Sequence, residues 1–509
     1  MELRFTAAPL RLDLLAPVFA GERVCLKLGA DVRRRVAAGR RVVEDVLRSG
    51  RSVYGVNTGF GKLARVRISD GELGQLQVNL LRSHACGVGD PLPVATVRAL
   101  MLLRIRTLCT GRSGVRFELV QKLGELLNAD VIPVVPSQGS VGASGDLAPL
   151  AHLALALISE GECELGGARM PAAAALAKAG IAPIRLAPKE GIALINGTQL
   201  TTALTAEALL RAENLARHAD LACALTVEAL KGTDKAYDRR IHDARPQVGQ
   251  KTSAANLHAL LQGSAILASH RDCDRVQDPY SLRCAPQVHG ACRDALAEAR
   301  RVLAIEIDAA TDNPLVFAEE GEILSGGNFH AQPIAAAADH VAAAVADLSS
   351  ISERRIEQMV NPDLSGLPAF LTPQPGLCSG FMIAQVVAAS LVSENKVLSF
   401  PASVDSIPTS ANKEDHVSMG PIAARKALAI VANAERVLGI EFLAAAQALD
   451  FETKFATTRP LAAVHRFIRK TVPKLEADRL LAPDLEQAAR WVRSGDLVAA
   501  AEKARAKID

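Results

Sequence analysis

Apolar positions recur along most of this chain at helical rather than strand spacing. Four stretches exceed twenty residues, roughly 200–230, 287–310, 330–361 and 420–450. In the third, Ile334, Val341, Val345, Leu348 and Met359 follow one another at three, four, seven or eleven residues, a single stripe of a helix. The segment 380–399, with "GFMIAQVVAASLVS" at 380–393, is apolar on all sides and is expected inside a bundle. It is too short to span a bilayer and runs into Glu394 and Lys396.

The first two hundred residues are more broken. Residues 1–50 read as an opening segment and a helix, and "YGVNTGFGKL" (54–63) as an irregular loop with Asn57, Gly59 and Gly61 as breakers. Helical patterning resumes over 70–130 and stops at the prolines of "VIPVVPSQGS" (131–140). "LAPLAHLALALISEG" (147–161) predicts a helix that tolerates Pro149 in its first turn, and "GECELGGARM" (161–170) a small hairpin. With no internal repeat and no low-complexity linker, the pattern predicts a mainly α protein. An irregular N-terminal domain (1–199) stands on a long-helix bundle with a C-terminal helical region (200–509).

Composition narrows the function classes. At 509 residues the chain can bury a large core, and length alone suggests about two to four domains. Aromatics are only 3%, so the core must come from Leu, Val, Ile and many alanines, which favours closely packed helices. A net charge of +3 is too small to argue for nucleic acid or an acidic membrane, and "DVRRRVAAGRR" (31–41) reads as a solvated helix face. Nine cysteines without a CxxC pair or regular spacing fit a reducing cytoplasm better than a disulfide framework or a metal site. Glu2, Arg4, Arg11 and Asp13 interrupt any signal-peptide core.

One stretch carries unusual chemistry. "GSVGASGDLAPL" (139–150) crowds three glycines and two serines ahead of a helix. It lacks the Gly-Lys-Ser/Thr of a phosphate loop, the Gly-x-Gly-x-x-Gly of a dinucleotide turn and the Gly-x-Ser-x-Gly of a nucleophile elbow. The plain alternative is a Ser or Asp cap on the following helix. The chemical alternative is ring closure: the nitrogen of Gly145 attacks the carbonyl of Ala143. Loss of water from that ring and from Ser144 then leaves a methylidene conjugated to an imidazolone. Glycine suits the attacking position because no side chain blocks the tight turn, and Asp146 can assist proton transfer.

Together with "YGVNTGFG" (54–61), "LRSHACGVG" (81–89), "ALINGTQ" (193–199), "VQDPYSLRCAPQV" (276–288), "TDNPLVF" (311–317), "SGGNFHAQP" (325–333) and "SANKEDHVSMG" (410–420), this stretch resembles the aromatic amino-acid ammonia-lyases. Their prosthetic group is methylidene-imidazolone (MIO), and the likeness is specifically to their histidine ammonia-lyases. It covers nearly the whole chain. It implies the fumarase/aspartase-like helical fold, a homotetramer with sites shared between subunits, and MIO formed from Ala143-Ser144-Gly145 with no external cofactor or metal. The implied reaction is non-oxidative deamination of L-histidine to trans-urocanate and ammonia, the first step of histidine degradation.

The resemblance also implies residue roles. Ser144 becomes the electrophile and Tyr54 matches the catalytic base. Asn196, which alone could be no more than an Asn-Gly turn, matches a residue beside prosthetic group and substrate. Tyr280 and Arg283 belong to the site, with Arg283 offering a planar fork to the substrate carboxylate, and Gln277 joins them. Gln277, Tyr280 and Arg283 lie three apart and would share a helical face, although Asp278-Pro279 favours a turn. Phe329 matches an active-site phenylalanine. His84 and Glu414 are expected to meet the imidazole, and Glu414 can relay a proton. Where the family usually has glutamine, Lys413 stands; it either adds positive charge beside Glu414 or turns to solvent. The alternatives are a tyrosine or phenylalanine ammonia-lyase, an MIO aminomutase, or a catalytically silent helical scaffold.

Overall fold

A computed structural model describes residues 1–59, 67–271, 273 and 276–509. Residues 60–63 of the 54–63 loop, Gly61 among them, therefore lie outside the described residues. The protein is mainly α, and the four long patterns are helices at Gln199–Ala229, Ala285–Glu306, Gln332–Val360 and Gly420–Leu449. In the third, all five stripe residues are buried, which is what their spacing demanded. The strands are short: Glu2–Phe5 pairs in parallel with Cys25–Leu28, and Glu162–Leu165 forms the expected hairpin with Ala168–Pro171.

Two compact units interleave along the chain. The first takes in residues 1–207, 300–339 and 401–425, and the second residues 208–299, 340–400 and 426–509. Within the first, the Ala30–Ser49 helix buries Val32, Val36, Val43 and Val46 on one face and ends at Gly50, whose φ of +67° suits a glycine C-cap. Val42, Val43, Val46, Val56 and Val316 form one apolar cluster, which ties the loop around position 54 to this helix. Pro149 lies in the first turn of the Leu147–Leu155 helix, as its missing N–H allows.

The segment 380–399 departs from expectation. The Met382–Leu398 helix buries only Ala384, Ala388 and Asn395, while Ile383, Val386 and Val397 are 61%, 51% and 75% exposed. It is not enclosed by its own chain. A helix apolar all round carries no mark of which side meets its own bundle, and here the small residues do so while the β-branched ones face outward.

In the second unit, Glu228 is buried near the end of the Gln199–Ala229 helix. Its Oε2 accepts from Ser264 Oγ at 2.9 Å, and burial raises its carboxyl to about 7. Because the folded pKa lies above the ordinary 4.5, the stability this group contributes is complete below about pH 4.5 and is lost as pH rises through about 7. Glu228→Gln should therefore gain on the wild type between about pH 5 and pH 8, read as urea midpoints. An offset that does not change with pH would contradict the assignment.

Candidate active site

The Gly142–Asp146 turn is held at both ends. At its start Ser418 Oγ donates to Gly142 O at 2.9 Å and Met419 N donates to Val141 O at 2.8 Å. At its end Asp146 N donates to Gly197 O at 2.7 Å, and Gly145 bridges Gly197 in parallel. Gly142 and Gly145 have φ of +65° and +74°. A Cβ would fall 2.3 Å from Ser418 Oγ at the first and 2.2 Å from Gly197 O at the second, so both positions require glycine.

Neither Ser144 nor Asp146 caps the Leu147–Leu155 helix with its side chain. Asp146 is fully buried and accepts from Thr201 N and Thr201 Oγ1, both at 2.9 Å, while burial raises its carboxyl to about 6. Ser144 Oγ donates to Glu414 Oε1 at 2.9 Å. The simple capping alternative is thereby excluded. Small residues, two left-handed glycines and backbone pressed against Gly197 suit ring closure by Ala143-Ser144-Gly145, so the residues present fit the group the motif implies.

Beside this turn lies a cavity of about 750 Å³ lined by Tyr54, His84, Ala143, Ser144, Asn196, Phe329 and Glu414, among others. Residues far apart in sequence thus meet within the first unit. Tyr54 sits on a loop braced by Asn57, whose Oδ1 accepts from Val53 N at 2.8 Å and whose Nδ2 donates to Arg51 O at 2.8 Å. His84 ends the Leu73–His84 helix, and its Nδ1 lies 2.9 Å from Leu80 O. A carbonyl only accepts, so Nδ1 carries the proton and Nε2 is left as an acceptor. Burial lowers the pKa of His84, outweighing Leu80 and Glu414, which leaves the ring neutral at pH 7.

Asn196 follows the Glu190–Ile195 helix and is 2% exposed. Its Nδ2 donates to Asn313 O at 2.9 Å, while its buried Oδ1 has no partner among the described residues. An unmatched buried acceptor lining a cavity calls for a donor from a ligand. Glu414 is oriented through Oε2, which accepts from Thr409 Oγ1 at 2.6 Å, and two backbone hydrogen bonds join Thr409 and Glu414. Between them Ser410, Ala411 and Asn412 are all left-handed, with φ of 52°, 52° and 64°. Such strain persists only where the surroundings hold it. Lys413 is exposed among the lining residues.

Gln277, Tyr280 and Arg283 belong to the second unit and line a cavity of their own, of about 390 Å³. Pro279 caps a single helical turn at Tyr280–Arg283, so the segment is both turn and helix, with Gln277 ahead of the helical part. The Arg283 guanidinium lies 4.5 Å over the Tyr280 ring, and its Nε donates to Asp278 O at 3.0 Å.

Thr409, Asn313, Thr201 and Ser418 were not singled out by sequence. Thr409 bonds Glu414 five residues on, whereas Asn313, Thr201 and Ser418 bond residues 117, 55 and 276 positions away, and each lies in or near a motif, which was the only available signal. Arg104 left a clearer trace: an arginine in the apolar run "ALMLLRIRTL" (99–108).

A helical fold that compresses an Ala-Ser-Gly turn beside an asparagine and a glutamate defines a class. The family model for aromatic amino acid lyases matches residues 10–470, and the chain belongs to this family. Among its relatives, the histidine ammonia-lyase of Sorangium cellulosum is 55% identical over 484 residues, 93% of this chain and 94% of that one. The crystal structure of histidine ammonia-lyase from Trypanosoma cruzi matches with a TM-score of 0.92 at 42% identity, over 99% of this chain and 96% of the other. Tyrosine aminomutase from Streptomyces globisporus matches with a TM-score of 0.93 at 38% identity, over 99% of each chain.

Proposed function

We propose that this protein eliminates ammonia from L-histidine to give trans-urocanate, using an electrophile made from Ala143-Ser144-Gly145. The observation that carries this reading is the pinned turn whose Ser144 meets Glu414 in one cavity with Tyr54, His84 and Asn196. The reaction breaks a Cβ–H bond that is barely acidic and a Cα–N bond to a poor leaving group, and forms a C=C bond. When formed, MIO supplies an electrophile that takes the amino group and makes it a better leaving group. Tyr54 is the base for the β-proton. Asn196 Oδ1 accepts from the substrate amine. Ring closure removes Oγ of Ser144, which frees Glu414 Oε1 to face the imidazole. Across the ring, His84 Nε2 accepts from one ring N–H while Glu414 accepts from the other, a pairing that holds the imidazolium form of the side chain, and Phe329 provides an apolar wall.

The substrate carboxylate calls for a cationic partner; no arginine is among the described residues lining this cavity, and its Lys413 is exposed. We assign that role to Arg283, with Tyr280 and Gln277, from a neighbouring chain of a homotetramer. The same assembly would cover the outward Ile and Val residues of the Met382–Leu398 helix. All nine cysteines are free, which suits the cytoplasm, and L-histidine is the only ligand required, with no membrane or nucleic acid.

Two polar partners for the imidazole make the site selective, because a phenyl ring would leave both unpaired. His84→Phe should lower kcat/KM for histidine roughly ten- to hundredfold and raise that for phenylalanine. The reading is tested by offering L-histidine, L-tyrosine and L-phenylalanine separately and following the ultraviolet absorbance of each unsaturated acid. Faster turnover of tyrosine than of histidine would overturn the selectivity assignment.

A further inference from the structure

Arg104 is wholly buried in the Val94–Leu108 helix. Its partners are oxygens near the end of a short helix: Nη1 donates to Asn196 O at 2.8 Å and to Gln199 Oε1 at 2.7 Å, and Nη2 donates to Ala193 O. The last carbonyls of a helix lack intrahelical donors, so a buried fork there satisfies groups that would otherwise be orphaned. Desolvating a guanidinium is costly, and the arrangement it secures is unusually specific.

The next residue shows what is secured. Gly197 has a φ of +144°, and a Cβ there would fall 2.6 Å from Arg104 Nη1 and 2.5 Å from Gln199 Oε1. Gly197 O in turn accepts from Asp146 N at 2.7 Å and would lie 2.2 Å from a Cβ on Gly145. Gln199 is itself anchored, its Nε2 donating to Thr107 Oγ1 at 3.0 Å and Thr311 Oγ1 at 2.8 Å. A continuous set of contacts therefore runs from the guanidinium through Asn196-Gly197 to the turn that closes.

We propose that Arg104 is a positioning residue for self-cyclisation: it holds Gly197 as the wall against which Gly145 is pressed, and holds Asn196 in the cavity. The inference rests on the reading of residues 143–145 as a self-made electrophile. In the reaction it serves, a bond forms between Gly145 N and Ala143 C. The Ala143 carbonyl oxygen leaves as one water with the amide protons of Gly145 and Ser144, and the Ser144 hydroxyl leaves as the second with its Cα proton. Arg104 neither donates nor accepts a proton. It sets the approach of nitrogen to carbon.

The test is intact mass against time after synthesis for the full-length wild type, Arg104→Lys, Gln199→Met and Arg355→Lys, each with its urea midpoint. Arg355 is another wholly buried arginine, bonded to Glu441 in the second unit, and serves as the stability control. Arg104→Lys keeps the charge but loses the fork. It should fold, yet lose its two waters roughly tenfold more slowly, so that full-mass chains persist. Gln199→Met should shift in the same direction by less, and Arg355→Lys should lose stability while reaching the dehydrated mass at the wild-type rate. Dehydration of Arg104→Lys at the wild-type rate would overturn the inference. So would an equal delay in Arg355→Lys at equal loss of stability, because the effect would then be one of folding alone. Should Arg104→Lys not fold, Gln199→Met is read against the same two outcomes. A wild type at full mass would instead remove the electrophile reading itself.

Discussion

Ser144→Ala should reduce kcat on L-histidine by on the order of 10³-fold or more while leaving the fold in place. Without Oγ no second water can leave, no methylidene forms, and the amine remains a poor leaving group. The structural cost is small by comparison. Ser144 is only half-buried, and the one hydrogen bond its hydroxyl makes before ring closure, to Glu414, worth about 1 kcal/mol, is given up by the cyclised wild type as well. Helical content and melting temperature should therefore stay close to wild type as activity collapses. A variant retaining more than about a tenth of wild-type turnover would contradict the assignment of Ser144.

Arg283→Ala should cost roughly 10²–10³-fold in kcat/KM, the effect of removing a bidentate partner from a desolvated carboxylate. Its more telling consequence appears in mixtures. Ser144 belongs to the first unit, while Tyr280 and Arg283 occupy a turn in the second with its own cavity. If each site takes Ser144 from one chain and Arg283 from another, the two inactive variants should rescue one another when co-expressed. Random mixing gives roughly a quarter of sites both intact residues. Mixed tetramers with no activity above either parent would rule out sharing.

How much was legible depended on whether the signal was local. Long helices, the hairpin at 162–171 and the tolerated Pro149 follow from periodicity and turn chemistry, which a chain carries within a few residues. The outward face of the Met382–Leu398 helix does not, because composition cannot say whose surface an apolar side chain meets. The meeting of Tyr54, His84, Asn196 and Glu414 in one cavity was reached only through motif resemblance, since residues that far apart share no spacing rule. On local grounds alone, Ser144 and Asp146 were equally good helix caps. What separates the readings is three-dimensional: Ser144 turns to Glu414, and Asp146 turns inward to Thr201. The supports Ser418 and Arg104 escaped for the same reason, as each acts on backbone that only folding brings near.

Whether this chain makes its own electrophile can be read from intact mass spectrometry of a preparation that converts L-histidine to urocanate. The mass should fall two waters below that of the sequence, with the loss localised to the peptide containing Ala143-Ser144-Gly145, and activity should be lost on borohydride treatment. A fully active preparation whose chains all carry the full sequence mass would contradict a self-made electrophile.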